Sequence, residues 1–238
     1  MSDISLSWVL PMYRTSEALT ELVERVHGVS KQLEVSYEIL LIDDGCPEGS
    51  GDIARAKFQY DNHVVIVSLD LNKGQDEAVV CGVKKSRGDW VVVHDADLQD
   101  PPEAVHSLWE AKTGYDVVFA HKTGGFDMPL RRWSSLIYRL LLRLISGLPY
   151  GAGLFVLMSR NVADQLKARH KPNVPFIAVL GGCTMSATSV RIKRTRRPIG
   201  NSAYTSKMRV LKALRTLCCL VCFKLFNGSK QDLLRSRR

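Results

Sequence analysis

The chain has 238 residues, 45% of them hydrophobic, a length and composition that suit one α/β domain with a sizeable core. Its formal net charge of +9 hides a division: residues 1–127 carry a net −11, while residues 128–238 carry +20, with Asp164 and Asp232 as their only acids. The six cysteines follow no metal-ligand spacing, which speaks against a structural zinc site and for reduced thiols.

Charge asymmetry of this kind points the second half toward nucleic acid, an anionic membrane surface or a phosphorylated substrate. No basic region followed by an apolar stretch opens the chain, so no signal peptide is expected. No window reaches the roughly 18–20 apolar residues that a spanning helix needs. The expectation is a cytoplasmic protein without a transmembrane helix, peripheral on the inner face of a membrane.

In chain order, Ile4 to Leu10 reads as a short apolar strand ended by Pro11. Thr15 or Ser16 can cap the helix whose apolar face runs Leu19, Leu22, Val23, Val26. Tyr37 to Ile42 is a second strand, delivering Asp43 and Asp44 to a Gly-Cys-Pro turn. A short helix over Asp52 to Phe58, a strand over Val64 to Leu69, the loop Asn72-Lys73-Gly74 and a helix over Gln75 to Ser86 follow. Strand and helix alternate, which predicts a mostly parallel, doubly wound sheet.

Trp90 to Glu103, reading W-V-V-V-H-D-A-D-L-Q-D-P-P-E, is the stretch on which the chain turns. Four apolar residues form a buried strand that carries Asp95 and Asp97 onto the loop past its end, with Gln99 two residues on. Pro101 and Pro102 stop the strand and suit the first turn of a helix predicted over Pro102 to Lys112. In open α/β sheets, ligands bind outside the carboxyl ends of strands. Two carboxylates there can hold Mg²⁺ or Mn²⁺ through hard oxygen ligands and leave positions for phosphate oxygens. A bare D-x-D is more often a solvated turn; here the strand, the glutamine and the paired prolines sharpen it.

A strand over Asp116 to Ala120 comes next, and the character changes after Gly124. Arg131 to Ile145 is amphipathic, with Trp133, Leu136, Ile137, Leu140, Leu141 and Leu144 on one face and Arg132, Arg139 and Arg143 largely off it. Such a helix lies in a membrane interface or faces an ordinary core. A strand over Leu154 to Met158, a helix from Asn161 and a strand near Val190 to Thr195 follow. Arg196 to Ser206 reads as a mobile loop. Lys207 to Phe226 is a second basic amphipathic helix, too short in its apolar part to span a bilayer.

Taken together, these motifs resemble the inverting glycosyltransferases of family 2, with the GT-A nucleotide-sugar fold, and within them the polyprenyl-phosphate (dolichyl-phosphate-type) sugar transferases. V-L-P-M-Y (Val9 to Tyr13), I-D-D-G-C-P-E-G (Ile42 to Gly49), N-K-G (Asn72 to Gly74) and D-A-D-L-Q-D-P-P-E (Asp95 to Glu103) stand in the family's order. D-V-V-F-A-H-K (Asp116 to Lys122), G-L-F-V-L-M-S-R (Gly153 to Arg160) and R-P-I-G-N-S-A-Y (Arg197 to Tyr204) complete the series, over roughly residues 5–215. The implied fold is α/β, a Rossmann-like, mostly parallel sheet flanked by helices, with basic amphipathic helices in the C-terminal half. The implied organisation is a GT-A domain over residues 1–206, its nucleotide-sugar half about 1–124 and its acceptor half about 125–206, with a basic helix and tail over 207–238.

The resemblance also implies roles. Pro11, Tyr13, Asp43 and Asp44 would hold the base and ribose of a UDP-, GDP- or dTDP-linked sugar, with Asp44 favoured for the base, and Lys73 and Ala96 join them in binding substrate. Asp95, Asp97 and Gln99 would ligate Mg²⁺ or Mn²⁺ on the diphosphate, a Lewis-acid role. Asp97 and Arg197 are the catalytic expectation, with Arg197 and Ser202 closing over the phosphates as a lid does. Lys122 stands for the family's phosphate-binding arginine, keeping the charge and losing the fork. Arg131 or Arg132 would meet the acceptor phosphate.

Three departures stand out. Tyr13 is followed by Arg14 and Thr15 with no acid, the family's G-D-F-R is Gly153-Leu154-Phe155-Val156, and the lysine of its S-K-Y is Ala203. Relatives that glycosylate a hydroxyl often carry a carboxylate base in the second half. Asp164 and Asp232 are poor candidates, and an anionic phosphate attacks without a base. This favours a polyprenyl phosphate acceptor at an anionic membrane surface; the alternative is a hydroxyl of a glycan or other non-lipid acceptor. No nucleic-acid motif accompanies the basic half. Pairing of the amphipathic helices into a homo-oligomer stays open.

Overall fold

The computed structural model of the chain describes residues 3–14, 18–123, 129–193 and 210–223, with the backbone alone for 129–136. Its strands are β1 (Leu6–Met12), β2 (Tyr37–Asp43), β3 (Val64–Ser68), β4 (Trp90–Val93), β5 (Val117–Thr123), β6 (Val156–Ser159) and β7 (Ala187–Lys193). They form one seven-stranded sheet in the order β3-β2-β1-β4-β6-β5-β7. Every pairing is parallel except those of β6, which runs antiparallel to both β4 and β5. This is the mostly parallel α/β architecture expected from the alternation of strands and helices.

The helices are α1 (Leu19–Gln32), α2 (Ser50–Phe58), α3 (Gln75–Lys85), α4 (Val105–Glu110), α5 (Pro129–Ser146), α6 (Arg160–Arg169), α7 (Phe176–Gly181) and α8 (210–223). They cover both faces, so β1, β2 and β4 are apolar on both sides apart from Ser7, Glu38 and Asp43, as strands buried on both sides are. On one face Leu19, Leu22, Val26, Val105 and Leu108 of α1 and α4 pack on Trp8, Leu10, Ile39 and Val92. On the other, Ala78, Val79, Val83, Val162, Leu166 and Val179 of α3, α6 and α7 pack on Val9, Leu40, Val91 and Phe119. Gly82 permits the close seat of α3, since a Cβ there would lie 2.3 Å from Val9 Cγ1.

Pro11 does not end the first strand; β1 continues to Met12, with Pro11 opposite Ile42. Val9 is the last β1 residue opposite β4, and its carbonyl accepts the His94 N–H. Met12, by contrast, turns its carbonyl to the β2 side, accepting the Asp44 N–H. Pro11 therefore directs its missing donor past the end of β4, where no ladder bond is owed. The helix expected over Pro102 to Lys112 is a 3-10 turn, Pro102–Ala104, leading into α4. The strands expected over Leu154 to Met158 and Val190 to Thr195 are Val156–Ser159 and Ala187–Lys193. Helix α7 has no counterpart in the sequence reading, where its short apolar run shows no periodicity of its own. The capping residues Thr15 and Ser16 lie outside the described residues.

Helices α5 and α8 pack side by side over α7, burying Leu142, Ala178 and Leu220 with Tyr138, Ile145 and Leu217 around them. Thr216 is buried in the same contact. The larger apolar side of each helix faces outward. Ile137, Leu140, Leu141 and Leu144 on α5, and Val210, Leu211, Leu214 and Val221 on α8, are exposed, Leu144 and Leu211 at 68% each. No helix among the described residues is long and apolar enough to cross a membrane.

Candidate active site at the carboxyl ends of the strands

The site lies where β1, β2 and β4 end together. β4 stops at Val93, and the backbone from Asp95 to Asp100 alternates strictly. Asp95, Asp97 and Gln99 are half-buried and turn to the open side, while Ala96, Leu98 and Asp100 are buried. The three expected ligands thus share the open side of a loop that turns and bends past the end of β4. Leu98 holds φ +54, a left-handed conformation uncommon for a side-chain-bearing residue, with its side chain in the core.

His94 fastens this loop from beneath. Its ring is fully buried, edge-on to Phe155 at 4.7 Å and to Trp8 at 6.4 Å between centroids. Nε2 lies 2.9 Å from the Asp100 carbonyl and so carries the proton it donates there. Nδ1 is buried without a hydrogen-bond partner among the described residues. Burial holds the imidazole below its ordinary range despite the nearby carboxylates of Asp100 and Asp95, so the ring is neutral.

The carboxylates of Asp95 and Asp97 have partners of their own. Asp95 Oδ1 accepts from Gln75 Nε2 at 2.6 Å, and Asp95 Oδ2 lies 3.5 Å from Lys122 Nζ. Lys122 Nζ also contacts Oδ2 of the fully buried Asp100. Asp97 Oδ1 accepts the Gln99 N–H at 3.1 Å. Carboxylate and amide oxygens of this kind are the hard donors that Mg²⁺ and Mn²⁺ take, so the donor set fits such an ion chemically. No three His, Cys, Asp or Glu side chains converge as a metal cluster among the described residues. An ion here would complete its shell from Gln99 and from phosphate oxygens.

The Asp43–Asp44 pair, both buried, forms the second wall. Asp43 Oδ1 accepts the Cys46 N–H at 3.1 Å and Oδ2 the Ser68 hydroxyl at 3.4 Å, so Asp43 shapes the turn into α2. Asp44 Oδ1 accepts the N–H groups of Lys73 and Gly74, at 2.8 and 3.2 Å, and holds the Asn72-Lys73-Gly74 loop against β2. Burial raises the Asp44 carboxyl above its ordinary range, more than those two N–H bonds lower it. Gly45 makes the approach possible: its φ is +59, and a Cβ there would lie 2.6 Å from Asn72 N. Pro11 is buried, Tyr13 is half-buried with the Arg14 guanidinium 5.4 Å from its ring centroid, and the Lys73 side chain is exposed.

The structure therefore brings together Pro11, Tyr13, Asp43, Asp44, Lys73, Asp95, Ala96, Asp97, Gln99 and Lys122. Ala96 turns its methyl into the core, leaving only its backbone to meet a ligand. Arg197 and Ser202, and the side chains of Arg131 and Arg132, lie outside the described residues. Phe155 and Val156 of the altered G-D-F-R are fully buried, as packing residues, and Leu154 packs partly buried beside them. Gln75, Asp100 and His94 were missed. The available signals were a polar residue directly after N-K-G, a third carboxylate in D-A-D-L-Q-D, and a histidine inside an apolar strand end.

The family model of glycosyl transferase family 2 matches residues 7–167. The chain belongs to that family. A relative from Pseudomonas fluorescens (strain SBW25), undecaprenyl-phosphate 4-deoxy-4-formamido-L-arabinose transferase, is 34% identical over 221 residues, covering 90% of this chain and 64% of its own length. This family member therefore spans just under two thirds of such a relative. The fold is close to that of mannosyl-3-phosphoglycerate synthase from Rubrobacter xylanophilus, with a TM-score of 0.65 at 13% identity, covering 95% of this chain and 75% of that one. It is also close to glucosyl-3-phosphoglycerate synthase from Mycobacterium tuberculosis in complex with Mn²⁺, UDP-glucose and phosphoglyceric acid, with a TM-score of 0.66 at 18% identity over 92% and 79% of the two chains. At these identities the likeness is one of fold, the GT-A architecture.

Proposed function

We propose that this chain transfers a sugar from a nucleotide-diphosphate sugar to polyprenyl phosphate, with inversion, at the cytoplasmic surface of a membrane. The observation that carries the acceptor is the exposed apolar side of each of α5 and α8, helices that also carry Arg139, Arg143 and Arg215. An apolar stripe flanked by arginines suits the interface of an anionic bilayer, where a polyprenyl chain is anchored. The relative from Pseudomonas fluorescens, named for an undecaprenyl-phosphate acceptor, supports the same reading.

In this reading the sequence divides by task, with residues 1–124 for the donor, 125–206 for the acceptor and 207–238 for the membrane. Asp43, Asp44, Pro11, Tyr13 and Lys73 hold the nucleoside, with Asp44 setting the height of the Lys73–Gly74 backbone. Asp95, Asp97 and Gln99 face the diphosphate, and Arg197 and Ser202 cover it. A Mg²⁺ or Mn²⁺ ion held there would stabilise the charge that builds on the departing nucleoside diphosphate. Lys122, Arg131 and Arg132 supply positive charge toward the phosphates. Among the described residues, the second half places no carboxylate where it would deprotonate a hydroxyl: Asp164 pairs with Lys167 at 3.1 Å on α6, which begins at the opposite end of the strands beside Gly88 and Asp89. A phosphate acceptor needs no such base.

The test is a transfer assay with Mg²⁺ or Mn²⁺, a panel of nucleotide sugars and a short polyprenyl phosphate. Labelled sugar is followed into the organic phase, with Asp97→Ala as control. Metal-dependent label in the lipid, abolished by the substitution, is the expected result. Donor binding with label appearing only in a water-soluble acceptor would overturn the lipid-phosphate reading.

A further inference from the structure

Lys122 is the one described cation placed by an ion pair on the D-x-D loop itself. It lies on β5 opposite Ile192 of β7, on the same side of the sheet as Val118 and Ala120. Its ammonium reaches two carboxylates of one loop, Asp95 at 3.5 Å and the fully buried Asp100. A fully buried carboxylate is costly unless paired, and removing the partner of such a pair is strongly destabilising. A compact ammonium suits a point between two carboxylates, whereas the planar guanidinium fork is built for bidentate contact with one. The aspartate at 100 and the lysine at 122 thus explain each other.

From this geometry we propose that Lys122 is a resident counter-cation of Asp95 that competes with the divalent ion for that carboxylate, and that Asp100 is the residue positioning it. The inference rests on the metal-dependent reading above. It adds that this chain carries part of the metal's charge in its own side chains. A divalent ion held by Asp95 would share that carboxylate with an ammonium already within ion-pair range, and like charges so close repel strongly at reduced dielectric. Before the donor binds, the loop therefore takes up Mn²⁺ weakly. A diphosphate, with its own negative charge, would offer the ammonium a further anionic partner and leave Asp95 free to hold the ion.

The test is Mn²⁺ titration of the full chain without nucleotide, read by electron paramagnetic resonance of free Mn²⁺, alongside thermal melting. Lys122→Gln is expected to bind Mn²⁺ about tenfold more tightly, the effect of removing one nearby positive charge. It should also melt at a lower temperature, because the buried Asp100 loses that ammonium. Asp100→Asn combined with Lys122→Gln should recover the melting temperature, and its Mn²⁺ affinity should fall below that of Lys122→Gln, because a nearby negative charge is lost with the positive one. Asp100→Asn alone, which leaves the ammonium to Asp95, should bind Mn²⁺ more weakly than the wild type. Lys167→Gln, which removes a remote charge, should leave Mn²⁺ affinity unchanged.

Unchanged Mn²⁺ affinity in both Lys122 variants would overturn the competition. Tighter Mn²⁺ binding by Asp100→Asn alone would overturn the positioning role of Asp100, as would a double variant that melts no higher than Lys122→Gln. A chain that takes up no Mn²⁺ even with uridine, guanosine or thymidine diphosphate present would instead overturn the metal-dependent reading, and the inference with it.

Discussion

Gln75 Nε2 donates to Asp95 Oδ1 at 2.6 Å, joining the first residue of α3 to the loop beyond β4. Because Gly74 and Lys73 hang from Asp44 directly before that helix, Asp44 and Asp95 are linked through the backbone of the N-K-G loop and the Gln75 side chain. Beyond the sheet itself, the Asp43–Asp44 wall and the Asp95 loop are therefore joined by an amide side chain.

Gln75→Ala removes that link and leaves both walls folded. We expect kcat/KM for the donor to fall about tenfold, the loss of one hydrogen bond to a charged group, about 1.4 kcal/mol. Gln75→Glu should be worse, since it sets a like charge against Asp95. Steady-state kinetics with the donor varied, beside unchanged circular dichroism, decide it.

Asp44→Asn keeps an oxygen that can accept the Lys73 and Gly74 N–H groups and removes the charge. Because the folded carboxyl is raised above its ordinary value by burial, the folded state holds its proton more readily than the unfolded chain. Stability is then lost as pH rises from the ordinary carboxylate range through the raised value. Above that window the variant should melt no lower than the wild type, while donor affinity falls. A melting curve at pH 7 that drops by several degrees would contradict this.

His94 gives the opposite sign. Its folded imidazole is held below the ordinary histidine range of about 6.5, so the unfolded chain binds the proton more readily. Stability present above that value should be lost as pH falls through it. His94→Gln, whose amide can still donate to the Asp100 carbonyl, should flatten the slope of melting temperature against pH below about 6.5.

Ile137→Glu combined with Leu144→Glu places two charges on the outward face of α5. Both side chains are already in water, at 56% and 68% exposure, so the melting temperature should hold. Each buried leucine or isoleucine is worth about 1.5–3 kcal/mol, so sedimentation with anionic vesicles should drop by at least about tenfold. Binding equal to wild type would remove α5 from the membrane contact.

Much of this site is legible in a single sequence because its logic is local. Asp95, Asp97 and Gln99 lie within five residues of one another on a single loop, and the buried Ala96, Leu98 and Asp100 between them leave all three on the open side. The apolar stripe of α5 repeats at helical spacing, and Ile137, Leu140, Leu141 and Leu144 share the outward face that the periodicity gives them. What escaped depends on contacts between distant segments. Gln75 meets Asp95 across the crossover between two strands, and Asp100 becomes a partner of Lys122 only once β5 is in the sheet. The continuation of β1 through Pro11 was hidden because it depends on where β4 stops, which no residue of β1 encodes.

The antiparallel β6 bears on how the chain is made. β4 and β5 are not neighbours; β6 lies between them, and its Val156 sits opposite both Val93 and Phe119. As the chain leaves the ribosome, β4 emerges with one side unpaired and waits roughly 60 residues for that partner, about 3–12 s at 5–20 residues per second. An apolar strand edge left open that long is a template for wrong pairing. The nascent chain is thus most exposed to aggregation in this interval, when the acidic half is complete and the strand that closes it has not yet been synthesised.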